Sequence, residues 1–299
     1  MNKCVKPMAG LLTGLFFSAA LSISPALAIE IAAREFILVD FQTGTVLDSQ
    51  NGSESMPPSS MSKLMTAYMV FEAIHSGALS LDDEFMVSEN AWRQGGAASG
   101  GSTMFLEPNS RVRVEDLLRG IIIQSGNDAC IVVAENMAGS EEAFADEMTE
   151  RARDLGLTGS NFANSTGLPD PNHYMTAEDL ALLARLIVTD FPEYYSLYKE
   201  TEFTYNEIKQ FNRNPLLYRP GGSDGLKTGY TDAAGYGLAA SAVRDGRRLI
   251  LVANGMASTQ ARSEETAKLM DWGFRNFTNK DLFRAGEMVS DAEVWLGLE

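Results

Sequence analysis

The sequence has 299 residues, 45% hydrophobic and 21% charged, a balance that fits a globular chain and excludes a disordered or fibrous one. That length allows one large domain, or a large one with a small companion. Its 40 acidic and 24 basic residues give a formal charge of −16, and no basic stripe is present, which excludes nucleic acid as a partner.

Residues 1–28 read as an export signal rather than as part of the fold. Lys3 and Lys6 form a basic start, "LLTGLFFSAALSI" an apolar core, and Ala26, Leu27 and Ala28 a small-residue cleavage site. The mature chain is expected to begin near Ile29, outside the cytoplasm. Cys4 precedes the apolar core and leaves with the signal, so it is not placed like a lipoprotein cysteine. Cys130 then stands alone, with no internal disulfide.

"REFILVDFQTGTVLDSQNG" predicts two strands around a Gln42-Thr43-Gly44 turn. In "PPSSMSKLMTAYMVFEAI" the prolines stop any earlier helix, Ser59 or Ser60 is a good N-cap, and Leu64, Met65, Tyr68, Met69 and Phe71 recur at helical spacing. "VSENAWRQGGAASGGSTMFLEPNS" reads as a glycine-rich loop. "VEDLLRGIIIQSGNDACIVVAENMA" predicts two helices broken at Ser125-Gly126-Asn127. "SEEAFADEMTERARDLGL" is an amphipathic helix with a capping-box start at Ser140, its acidic face most simply solvated. "TAEDLALLARLIV" is a helix capped by Thr176, "GYGLAASAVRDGRRLILVANGM" a hairpin at Arg244-Asp245-Gly246, and "SEETAKLMDWGFRNF" a closing helix. Strands, then helices, then strands and a helix predict an α+β fold, one antiparallel sheet faced by helices. The domain division is 1–28 signal, 29–280 main domain, and 281–299 the strand-like opening of a second β domain.

With only His75 and His173, no H-E-x-x-H and no G-x-S-x-G, neither a zinc peptidase nor a Ser-His-Asp triad fits. "PDPNHYMT" reads as a polar loop holding a satisfied or exposed histidine, and Cys130 as a small buried residue. Any nucleophile needs a different base.

Three short motifs supply one. Ser60 and Lys63, three apart, share a helix face. A desolvated lysine at the positive end of a helix dipole has its charged form disfavoured, which suits a general base. The same residues also read as a cap and a lysine reaching solvent. Ser125-Gly126-Asn127 offers a hydroxyl and an amide at a helix break, or an ordinary cap. Lys227-Thr228-Gly229 offers a cation, a hydroxyl and room for a close backbone approach at a strand edge, or a plain turn. All three occur once, in order, each in a suitable local setting, as in penicillin-binding proteins and class A β-lactamases.

With those motifs, and with "SGGSTMFLEP", "EDLLRGIIIQSGNDAC", "NSTGLPDPNHYMTAEDLALLAR" and "DGLKTGYT", the chain resembles the low-molecular-mass penicillin-binding proteins, serine-type D-Ala-D-Ala carboxypeptidases of bacterial cell-wall metabolism. The resemblance runs from the signal segment to the last residue. It implies a β-lactamase/transpeptidase-like fold: a five-stranded antiparallel sheet, a helical subdomain, and the site at their junction. It implies that Ser60 forms the acyl-enzyme, Lys63 is the base, Ser125 takes part in proton transfer and Asn127 positions the substrate amide. Lys227, Thr228 and Gly229, with Arg262, then hold the substrate's carboxylate end, and the backbone N–H groups of Ser60 and Tyr230 form the oxyanion hole.

The implied partners are stem peptides ending in D-Ala-D-Ala and β-lactams, with no metal or cofactor. Relatives attach to the membrane through a C-terminal segment that follows a second β domain, and this sequence stops inside what resembles that domain's first strand. A β-lactamase is the nearest rival. It is disfavoured because Pro192-Glu193 is followed by Leu197 where class A enzymes place Asn, while Glu202 and Asn206 have the E-x-x-x-N spacing but lack the proline. A DD-endopeptidase differs only in groove shape, and a non-catalytic binder is expected to have lost Ser60, Lys63 or Lys227.

Overall fold

The computed structural model describes residues 29–283, 286–288 and 290. The signal segment therefore lies outside the described residues, and so does most of the strand-like tail 281–299.

The chain opens with β1 (Glu35–Asp40) and β2 (Val46–Gln50), the expected hairpin. A 3-10 turn (Ser59–Ser62) then leads straight into α1 (Lys63–His75). The helical region follows: β3 (Glu84–Met86), α2 (Glu89–Gly95), β4 (Arg111–Arg113), α3 (Val114–Arg119), α4 (Asn127–Ala138), α5 (Glu141–Asp154) and α6 (Ala177–Asp190). A small hairpin, β5 (Glu202–Tyr205) and β6 (Ile208–Phe211), precedes β7 (Ser223–Thr231), β8 (Gly235–Arg244), β9 (Arg247–Met256) and α7 (Thr259–Asn276). The main sheet has five strands in the order β2-β1-β9-β8-β7, all neighbours antiparallel, so β7 is an edge.

Strand alternation divides the core between the two sheet faces. Ile37, Val39, Ile250 and Val252 point to the helical region and join its large core. Phe36, Leu38, Leu249 and Leu251 point the other way, against Leu269 and Met270 of α7. Because both faces are covered, β1 is buried along its whole length and reads as a continuous apolar run rather than an alternating one.

Several expectations are corrected in detail. No serine side chain caps α1, because a 3-10 turn precedes the helix and the serine hydroxyls beside it bond elsewhere: Ser59 Oγ donates to Pro58 O and Ser62 Oγ to Ser59 O. Ser140 does cap α5, accepting from Ala143 N, but residue 143 is alanine, so the glutamate half of a capping box is missing. The glycine-rich stretch contains α2, capped by Ser88, and "VEDLLRGIIIQ" passes into a π-helical turn (Gly120–Gln124) before its break. Thr176 caps α6 as expected, and α7 starts at a Ser258 cap, earlier than its apolar pattern suggests. Among the described residues no helix is long and apolar enough to cross a membrane.

Candidate active site

Lys63 is the first residue of α1, where the helix dipole opposes a cation, and it is only 1% exposed. Its ammonium nitrogen lies 3.0 Å from Ser60 Oγ and 2.8 Å from Asn127 Oδ1, with the Thr166 carbonyl as a third, close partner. Burial pushes its pKa down and the nearby Arg213 guanidinium adds to this, against Cys130, Glu141 and Asp128, which act the other way. A carbonyl and an amide oxygen only accept hydrogen bonds. They therefore take the two N–H groups of a neutral amine and leave its lone pair for the Ser60 hydroxyl proton.

The Thr166 carbonyl is held by its surroundings. Asn164 Oδ1 accepts from Thr166 N, Thr166 Oγ1 and Gly167 N. Glu141 Oε1 accepts from Ser165 N and Oγ, so one residue of the supposedly solvated acidic face of α5 braces this loop. Gly167 has φ +77°, and a Cβ there would meet Ser59 O at 2.1 Å, so only glycine fits this close approach.

Ser125 stands at the break before α4 with φ 66°, in the left-handed region, and its buried Oγ has no hydrogen-bond partner. Ser59, beside Ser60, also has positive φ, 47°. Non-glycine residues in this region are strained, and both flank the candidate site. Asn127 begins α4, its N–H donating to Ser102 O at 2.7 Å. Asp128, buried behind it, accepts from Thr103 Oγ1, Met104 N and Leu106 N and so fixes the preceding loop as a wall.

The opposite wall is β7. Lys227 is 2% exposed, donates to Thr228 O, and has its pKa pushed well down, first by burial and then by Lys63 and Arg213. Between the walls lies a cavity of about 250 Å³. Ser60, Ser125, Thr228, Gly229, Tyr230 and Arg262 line it, while Lys63, Asn127 and Lys227 sit behind its surface. The motifs thus converge on one place.

Ser102, Arg213, Tyr236 and Thr259 also line the cavity and were not anticipated. Arg213 donates to Ser102 Oγ at 2.6 Å, and burial lowers its pKa. His173 lies outside this cavity and is buried rather than satisfied. Nδ1 accepts from Ala163 N, Nε2 has no partner, and burial pulls its pKa down to about 4. Cys130 is buried as expected, its thiol pushed up to about 12 by desolvation. Among the described residues no group of three His, Cys, Asp or Glu is placed to hold a metal ion.

A serine paired with a buried lysine, at the seam between a five-stranded sheet and a helical region, defines a serine hydrolase of the penicillin-binding fold. The family described as D-alanyl-D-alanine carboxypeptidase matches residues 20–258, and the chain belongs to this serine-type family. It is 43% identical to D-alanyl-D-alanine carboxypeptidase DacC of Escherichia coli over 267 residues, covering 89% of this chain and 67% of that one. The fold is similar to penicillin binding protein 6B of E. coli, with TM-score 0.83 and 41% identity over 90% of this chain and 84% of the other. It is also similar to penicillin-binding protein D2 of Listeria monocytogenes in its ampicillin-bound form, with TM-score 0.70 and 30% identity over 82% and 98% of the two chains.

Proposed function

We propose that the protein removes the terminal D-alanine from peptidoglycan stem peptides ending in D-Ala-D-Ala, with Ser60 as nucleophile, and that β-lactams acylate the same serine. The observation that carries this reading is the Lys63 amine, held by two acceptors and directed at Ser60 Oγ.

Ser60 Oγ attacks the carbonyl between the two D-alanines while its proton passes to Lys63 Nζ. The N–H groups of Ser60 and Tyr230 receive the charge on the tetrahedral oxygen. Ser125, its hydroxyl otherwise unpartnered, relays a proton to the departing amine, and D-alanine leaves. Water then releases the shortened peptide. Asn127 steers the substrate amide, while Thr228 and Arg262, with Lys227 behind them, hold the terminal carboxylate. Residues 29–280 form the catalytic unit in this reading. The basic-then-apolar segment 1–28 exports it to the periplasm or cell envelope.

The test is intact mass against time after adding benzylpenicillin to the protein and to Ser60→Ala, with D-alanine release assayed in parallel. The expected result is an adduct on Ser60 persisting for minutes, D-alanine release by the wild type, and neither in Ser60→Ala. A Ser60→Ala protein that still releases D-alanine overturns the assignment. Penicillin consumed without an adduct points to a β-lactamase.

A further inference from the structure

Arg262 is placed as awkwardly as Lys63. It lies in the first turn of α7, at the positive end of the dipole, 8% exposed, with its Nε buried and unpartnered. No carboxylate pairs with it among the described residues, and burial pulls its pKa down. A buried guanidinium without a counter-charge is costly unless something else stabilises and orients it.

One side chain is placed to do so. The guanidinium carbon lies 5.6 Å from the centroid of the Tyr236 ring, within cation–π range. Tyr236 is itself fixed. It belongs to β8 and pairs with Tyr230 of β7 and Met256 of β9. Its ring packs on the Tyr230 ring at 4.3 Å between centroids. The stack Tyr230–Tyr236–Arg262 thus ties the first turn of α7 to the edge of the sheet, and all three residues line the same cavity.

We infer that Tyr236 is a positioning residue: its ring face holds the Arg262 guanidinium in place, so that Arg262 meets the substrate's terminal carboxylate already oriented. This rests on the function proposed above. Pre-orientation spares the arginine its side-chain ordering when substrate binds, so the effect falls on binding of the anion rather than on the acyl-transfer step.

The test compares two peptides, one ending in D-Ala-D-Ala and one in D-Ala-D-alaninamide, which lacks the anion. In Tyr236→Leu the KM for the acid peptide is expected to rise about tenfold with kcat within about threefold. The amide peptide is expected to show no such rise, so the acid-over-amide preference falls. Tyr236→Phe keeps an electron-rich face and is expected to behave as wild type.

A phenylalanine at this position bearing successive ring fluorines keeps the shape and drains the face. It is expected to raise the acid-peptide KM stepwise, and it decides the matter if Tyr236→Leu fails to fold by circular dichroism. An acid-over-amide preference unchanged across the fluorinated series overturns the inference while leaving the function intact. A wild-type protein that releases no D-alanine from the acid peptide overturns the functional reading, and this inference with it.

Discussion

Three hydrogen-bond partners surround the Lys63 amine, yet the charges near it are mixed. Burial disfavours its cation, the Arg213 guanidinium disfavours it further, and Glu141 and Asp128 favour it. In the proposed mechanism Lys63 must be neutral to take the Ser60 proton, so the acylation rate is expected to rise with pH through the Lys63 pKa. Replacing Arg213 by glutamine removes a repelling charge, so the Lys63 pKa rises and the acidic limb of the rate profile moves to higher pH. The expected displacement is roughly 0.5 to 1 pH unit, read from second-order acylation by benzylpenicillin between pH 5 and 10. Arg213→Lys keeps the charge and is expected to leave the limb in place, even though it changes the bond to Ser102. A limb that stays put or moves down in Arg213→Gln shows that the two cations do not communicate. The sequence exposes Lys63 as misplaced, because a cation in a helix's first turn is a local anomaly. It conceals Arg213, whose only local company is a short polar segment and whose relation to Lys63 spans 150 positions of chain.

At the scale of elements, the site depends on how closely β7 approaches the 3-10 turn that carries Ser60. A Cβ on Gly229 would lie 2.2 Å from Ser59 Oγ and 3.0 Å from Pro58 O, so glycine sets the spacing between the strand and the turn that carries the proposed nucleophile, Ser60. Gly229→Ala is therefore expected to push the strand outward. Acylation should slow by about 100-fold, since small misplacements of the reacting groups are that costly. Stability should fall by about 1 to 3 kcal/mol, as in other overpacked sites, which is read as a lowered Tm. An alanine variant that acylates at the wild-type rate removes this account of Gly229.

Element legibility followed burial pattern. The β1–β2 and β8–β9 hairpins and α6 were readable because turn residues and caps bound clear apolar runs. The helix α2 was not, because only Ala91 and Gly95 of its seven residues are buried, which leaves no apolar stripe among the glycines. The hairpin β5–β6 was missed because each strand has four residues, only one of them buried, and the pairing is fixed by tertiary contact. The Thr166 carbonyl is a backbone group, and no side-chain pattern announces it.

Across the whole molecule, a chain of formal charge −16 confines several cationic or protonatable groups to its interior: Lys63, Lys227, Arg262 and His173. Burial is the first cause of the lowered pKa of each. Native and unfolded chains therefore differ in proton uptake, and stability depends on pH accordingly. For His173 the window is defined, because its folded pKa lies at about 4. Below its ordinary value near 6.5 the unfolded chain takes a proton that the native chain refuses until the pH nears 4. Stability is thus full above that window and falls as pH drops through it, by about 3 kcal/mol in all. The lysines act in the same direction over a more alkaline window: their penalty shrinks as pH rises and the unfolded lysines also lose their protons. Carboxylates such as Asp40, held down by its bonds to Thr43 and Arg247 against burial, also weaken the fold in acid, so the wild-type curve alone does not isolate the histidine. The comparison that does is urea unfolding of wild type and His173→Gln at intervals from pH 7 to 4. The wild-type curve should be steeper by up to about 1.4 kcal/mol per pH unit near pH 5, the signature of one additional proton bound on unfolding. Parallel curves would mean that His173 titrates alike in both states. Its buried, half-bonded position beside Phe162 would then need another explanation.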